Sequence, residues 1–152
     1  MAHERALVLD RLLKAPRGKI WRCWVEPELL EQWFFPEPWR CSRAEIDLRP
    51  GGRFRTVMNG PKGEVVDSSG VYLDVAPQQR LVFTDAYERA WEPSLKPFMT
   101  VTITLDDAPG GTRYVARAAH WSEADRKAHE EMGFEDGWGK CADQLEHLAA
   151  RL

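Results

Sequence analysis

The sequence predicts an α+β domain: a curved antiparallel sheet of about seven strands around one long C-terminal helix, with two short helices after the first strand. Three observations carry this reading. Period-two alternation recurs from residue 42 to residue 120, broken by Gly/Pro/Asn turns. An apolar stripe of helical period fills the tail, with Phe134, Trp138, Cys141, Leu145, Leu148 and Leu152 stepping by four and three. Tryptophans and leucines at three- and four-residue spacing mark two short helical pieces between the first strand and the rest.

The first strand is expected over residues 5–13, with Leu7, Leu9 and Leu13 on one parity and Arg11 between them. Ala15 and Pro16 open the first helix, since proline is tolerated in a first turn. Ile20, Trp21, Trp24 and Val25 share its face, and Pro27 ends it. Residues 28–34 form the second helix, and the two prolines of 35–39 make a loop. Strands follow at 42–48 and 53–58, the second alternating Phe54, Thr56 and Met58 with arginines and Val57. Asn59 and Gly60 are a strong hairpin cue. Residues 64–75 read as a long strand with a bulge at Gly70, and 80–87 as a strand with Leu81, Phe83, Asp85 and Tyr87 on one face. Residues 88–97 read as a loop. The strand at 98–105 is the cleanest, Met99, Val101, Ile103 and Leu105 against three threonines. Residues 112–120 form the last strand, with Tyr114, Ala116 and Ala118 together. Ser122 and Asp125 resemble a capping box opening one continuous tail helix, interrupted by Gly133, Gly137 and Gly139. Each costs about 1 kcal/mol against alanine, so close approach, a bend or open space is expected there.

Length and composition bound the function. The 152 residues make one domain, 43% hydrophobic and 30% charged, as a globular chain is. A net charge of −3 excludes the basic footprint that duplex nucleic acid requires, and argues against a polybasic membrane contact. No apolar run approaches a transmembrane span, and the first residues form no secretory signal, so a cytoplasmic protein is expected. Cys23, Cys41 and Cys141 suit neither a disulfide framework nor a zinc site and read as inert thiols. There is no nucleophile elbow, phosphate loop, dinucleotide fingerprint or His-Glu-x-x-His, so no cofactor and no metal is expected. His129 with Glu130 and Glu131 lacks a second histidine at helical spacing, and His3 and His147 read as solvent-facing.

Several stretches together resemble the START-like superfamily, also called the helix-grip fold, and within it the activator-of-heat-shock-protein-90-ATPase-like family, close to the polyketide cyclase/dehydrase group. Residues 15–21 followed by Trp24, Pro27, Leu30, Trp33 and Phe34 look like its opening helices. Residues 49–54 look like its second turn. Residues 70–73 with Pro77 and 80–84 look like its central hairpin. Residues 110–112, then Gly137, Trp138, Asp143, Gln144 and Leu145, look like its end. The resemblance implies a wedge between sheet and C-terminal helix. Members include a chaperone-activating domain, self-resistance proteins and cyclases, so fold alone does not select a function. With no segment outside the one domain, a chaperone partner is not expected.

Seven tryptophans, six phenylalanines and three tyrosines suit either a dense core or a lined pocket. Small residues on the last strand and the tail helix favour open space between them. The expected function is binding of a small hydrophobic or aromatic molecule for carriage, sequestration or resistance. Trp39 and Trp91 would stand at the mouth, with Met58, Phe83 and Tyr87 on the sheet and Phe134 and Trp138 on the helix. Asp85, Tyr114, Ala116 and His120 complete the candidate lining. An enzyme of cyclase, dehydratase or hydrolase type would use the same cavity, with Asp85, Tyr87 or His120 as acid–base groups. A chaperone-activating interaction module is the third alternative, and exposed tryptophans would also allow a homodimer.

Overall fold

The computed structural model describes residues 5–152, so His3 and the reading of the first four residues lie outside it. Strand β1 (Ala6–Leu13) is followed by helices α1 (Arg17–Val25) and α2 (Pro27–Leu30). Strands β2 (Arg40–Ile46), β3 (Arg53–Asn59), β4 (Val65–Ala76) and β5 (Arg80–Thr84) then run as a meander. A short ribbon of β6 (Tyr87–Arg89) and β7 (Glu92–Pro93) precedes β8 (Met99–Ala108) and β9 (Gly111–His120). Helices α3 (Glu123–Glu131) and α4 (Phe134–Ala150) end the chain. The seven-stranded antiparallel sheet has the order β1-β9-β8-β5-β4-β3-β2, and β6 and β7 pair apart from it. No helix of the described residues is long and apolar enough to cross a membrane.

The register explains which side chains share the inner face. Leu9, Ala116 and Ile103 are directly opposite one another, as are Leu7, Ala118 and Val101. Phe83 pairs with Val101 on one side and Tyr72 on the other, while Phe54 pairs with Ile46. These residues pack beneath α1 and α4 as one core. Two register shifts adjust the face. One at Ser42 lets Cys41 and Ala44 both point inward. The other, at Leu73, does the same for Tyr72 and Val75. An extra residue reverses the parity of everything after it, which is why a bulge is needed. The bulge therefore sits at Leu73, not at the expected Gly70. Gly70 answers a different demand: a Cβ there would stand 2.3 Å from the Thr84 carbonyl oxygen.

Three further expectations are corrected. The second helix is a single turn, with 31–34 continuing only as turns. The strand from Arg80 stops at Thr84, because Asp85 turns its carboxylate onto the start of β8, and Tyr87 belongs to the separate ribbon. The continuous tail helix is two helices. Ser122 caps the first, its Oγ accepting from the Asp125 N–H at 3.0 Å. Gly133, at φ +92°, ends it and redirects the chain into α4, a backbone conformation that favours glycine.

Polar contacts hold α4 in the grip of the sheet. Arg11, on the inward parity of β1, donates to the Gly139 carbonyl at 2.9 Å and to Asp143 at 2.6 Å. The Gln144 amide donates to the Trp33 and Phe35 carbonyls, each at 2.8 Å, while its oxygen accepts from the Glu37 N–H at 3.0 Å. Lys140 donates to the Glu37 carbonyl at 2.8 Å. One flank of α4 is thereby stitched to β1 and the other to the loop after α2.

Candidate functional site

Between α4 and the sheet the aromatic side chains divide into two groups. The first is interlocked under α1. Trp24 meets Trp33, Phe34 and Phe83 with ring centroids 4.9, 5.6 and 5.7 Å apart. Phe54 meets Phe83 edge-on at 5.1 Å and stacks on Tyr72 at 5.2 Å. Phe83 is 9% exposed here, and Ala116 and Tyr114 are sealed on β9. Burial pushes the Tyr114 phenol well above its ordinary range. The Tyr72 hydroxyl and Trp24 indole nitrogen are buried without a hydrogen-bond partner.

The second group lies where β8 begins, β9 ends and α3 meets α4. His120 and His129 are 5% and 7% exposed, with His120 Nε2 and His129 Nδ1 2.8 Å apart. His120 Nδ1 is 3.1 Å from the Arg5 carbonyl oxygen. Phe98 stands 5.3 and 5.2 Å from the two imidazoles. Phe134 meets His129 edge-on at 5.1 Å and stacks with Trp138 at 5.0 Å. Burial first, then the neighbouring His120, lowers the His129 pKa to about 4, so the ring stays neutral near pH 7. Trp138 remains half-buried, and a Cβ on Gly137, beside the apolar stripe of α4, would meet nothing within 4 Å.

The structure thus brings His120, Phe134 and Trp138 together, and separately Phe83, Tyr114 and Ala116 in the core. Met58 is half-buried on the inner face, opposite Cys41 and Val66. Trp39 lies over the β3–β4 turn, where a Cβ on Gly60 would stand 2.7 Å from its ring. Asp85 Oδ1 accepts from the Phe98 and Met99 N–H groups at 2.9 and 3.1 Å, a role that ties β5 to β8. Tyr87 and Trp91 meet edge-on at 5.4 Å in the ribbon, near the Gly51 turn, and Trp91 is 63% exposed. That ribbon packs on β4 and, with Arg53 and Ser69, borders a polar groove of about 580 Å³. A second polar groove of about 500 Å³ runs along α4 past Gln32, Lys140 and His147. Neither groove is lined by Phe83, Phe134 or Trp138.

His129 and Phe98 are the members sequence reasoning missed. If 122–152 were one helix, His129 and Phe134 would be about 140° apart around it. The left-handed step at Gly133 resets that phase and lets both rings meet. Among the described residues no group of three or more His, Cys, Asp or Glu is placed to hold a metal ion. The thiols are held neutral by burial, which pushes Cys23 and Cys141 up to about 11.

Comparison with known proteins agrees with this architecture. The sequence profile of the family described as activator of Hsp90 ATPase homolog 1-like protein matches residues 14–150. The chain belongs to this family. A crystal structure of a protein from Nitrosomonas europaea superposes with a TM-score of 0.95 at 44% identity, covering 99% of this chain and 97% of that one. A Mycobacterium smegmatis protein gives 0.80 at 26% identity, covering 95% and 90%. One from Chromobacterium violaceum gives 0.77 at 25%, covering 94% and 96%. No curated protein matches. For a member of the Hsp90-activator-like family, the shared element is the START-like grip of sheet on helix, and in this chain the histidine pair and the rings around it lie within that grip.

Proposed function

We propose that the protein binds a small apolar or aromatic molecule in the wedge between the sheet and the amino-terminal half of α4, in a carriage, sequestration or resistance role. The observation that supports this is at Trp138 and Gly137. The apolar stripe of α4 is sealed at Leu145 and Leu148 but only half-covered at Trp138, with open space beside Gly137. Aromatic rings left half-covered at one end of a wedge are where a small apolar molecule would complete the packing.

Titration with 8-anilinonaphthalene-1-sulfonate tests it. The native protein is expected to bind the probe with enhanced fluorescence. Gly137→Leu, which enters open space and improves helix propensity, is expected to fold normally and lose at least tenfold in affinity. Unchanged affinity in that variant would place the probe elsewhere. A native mass spectrum of freshly purified protein adds the mass of any retained molecule and shows whether copies associate.

The histidine pair favours a second reading, a cyclase- or dehydratase-type enzyme in the same wedge. The Asp85 carboxylate is engaged by backbone, Tyr87 lies in the ribbon and both His120 nitrogens are engaged, which leaves His120 acting through its partner His129 as the acid–base candidate. Turnover lost in His120→Gln with probe binding retained is the signature of that reading.

A further inference from the structure

The two imidazoles form a chain whose proton positions follow from its anchored end. A carbonyl oxygen can only accept, so His120 carries its proton on Nδ1, facing the Arg5 carbonyl at 3.1 Å. A neutral ring then leaves His120 Nε2 bare, as acceptor for the proton on His129 Nδ1 at 2.8 Å. One step further, His129 Nε2 is left with a lone pair and no proton. No described residue donates to it. The ring as a whole is 7% exposed. Its surroundings are the rings of Phe98, Phe134 and Trp138, with centroids 5.2, 5.1 and 6.2 Å away.

Resting on the wedge reading above, we propose that His129 Nε2 is the polar recognition point of the site and accepts a hydrogen bond from a hydroxyl on an aromatic ligand, so that the molecules bound are phenols. The carbonyl at the far end locks the tautomer, so the acceptor is presented without rearrangement. The adjacent rings suit a flat apolar body and offer no competing acceptor. A phenol supplies a neutral donor to match this acceptor. Loss of that donor leaves the lone pair unmatched against a desolvated ligand, which is how hydrogen-bonding sites discriminate.

The test compares 2-naphthol with 2-methoxynaphthalene, which keeps the ring system and removes the donor, by calorimetry at pH 7 on the full chain. The native protein is expected to bind 2-naphthol at least tenfold more tightly. In His129→Phe the two probes are expected to bind within twofold of each other, with 2-methoxynaphthalene unaffected. Should that variant not fold, the native protein still decides: the His129 Nε2 nitrogen resonance is expected to move with 2-naphthol and not with its ether. Equal affinities in the native protein, a preference that survives in folded His129→Phe, or an unmoved resonance would each overturn the assignment. The wedge reading fails separately. If 2-methoxynaphthalene binds and Gly137→Leu abolishes that binding, but no preference for the phenol exists, only the histidine assignment falls. If neither probe binds, the wedge reading falls and this assignment with it.

Discussion

The two aromatic groups have nearly the same geometry and different chemistry. Around Trp24 and Phe83 the rings meet mostly edge-on or tilted at about 5–6 Å, and the same spacings recur around His129. The first group joins α1 to the middle of the sheet and is nearly all sealed. The second joins a helix elbow to the strand ends, includes two basic rings and leaves Trp138 half-covered. Ring packing alone therefore does not distinguish a core from a site. What separates them is where polar atoms are matched: the first group locks its rings by shape, while the second contains a hydrogen-bonded pair of imidazoles.

The largest effect that would break this comparison is on stability. Phe83→Ala removes a ring held between Trp24 and Phe54, and is expected to cost about 3–5 kcal/mol by urea unfolding. A loss below about 1 kcal/mol would mean that the first group is not the core. The second effect is pH dependence. His129 ordinarily titrates near 6.5 but near 4 in the folded chain. Between those values the unfolded chain takes up a proton that the folded one refuses, so stability rises with pH. It is expected to fall by up to about 3 kcal/mol as pH drops from 6.5 to 4, and to level off below. His129→Phe should flatten that slope, and Phe83→Ala should leave it in place. The smallest effect sharpens the contrast in packing. Gly137→Ala, with room for its Cβ, is expected to raise stability by about 0.5–1 kcal/mol, measured as a higher urea midpoint at unchanged m. Destabilisation would show that the space beside α4 is already filled.

The architecture was legible because alternation is a local signal. Met99, Val101, Ile103 and Leu105 all lie on the inner face of the sheet, and Tyr114, Ala116 and Ala118 stand opposite them as their spacing demands. The site was only partly legible. Phe134, Trp138 and His120 lie on elements with clear periods, and these elements bring them together. His129 was not legible, because Gly133 resets the helical phase between it and Phe134, and periodicity carries no information across such a break. Asp85 shares the parity of Phe83, yet its strand has ended and its carboxylate faces backbone N–H groups. Parity also could not foresee that Tyr87 and Trp91 leave the main sheet for a ribbon of their own, since the signals for a loop and for a two-residue strand are the same prolines and charges.

The Arg11 contacts have a consequence for how copies of this chain behave at high concentration. β1 and β2 are the margins of the sheet, and an open margin invites another strand to add, the first step of fibre growth. On β1 a charged side chain points inward among leucines, held by Gly139 and Asp143. An incoming strand would have to set its own inward residue beside that fixed guanidinium. On β2 the bulge at Ser42 spoils the repeat, and Arg40, Arg43 and Glu45 add charge along it. With both margins unsuited as templates, a chain rich in tryptophan, with Val8 and Leu12 uncovered, is kept from polymerising edge to edge.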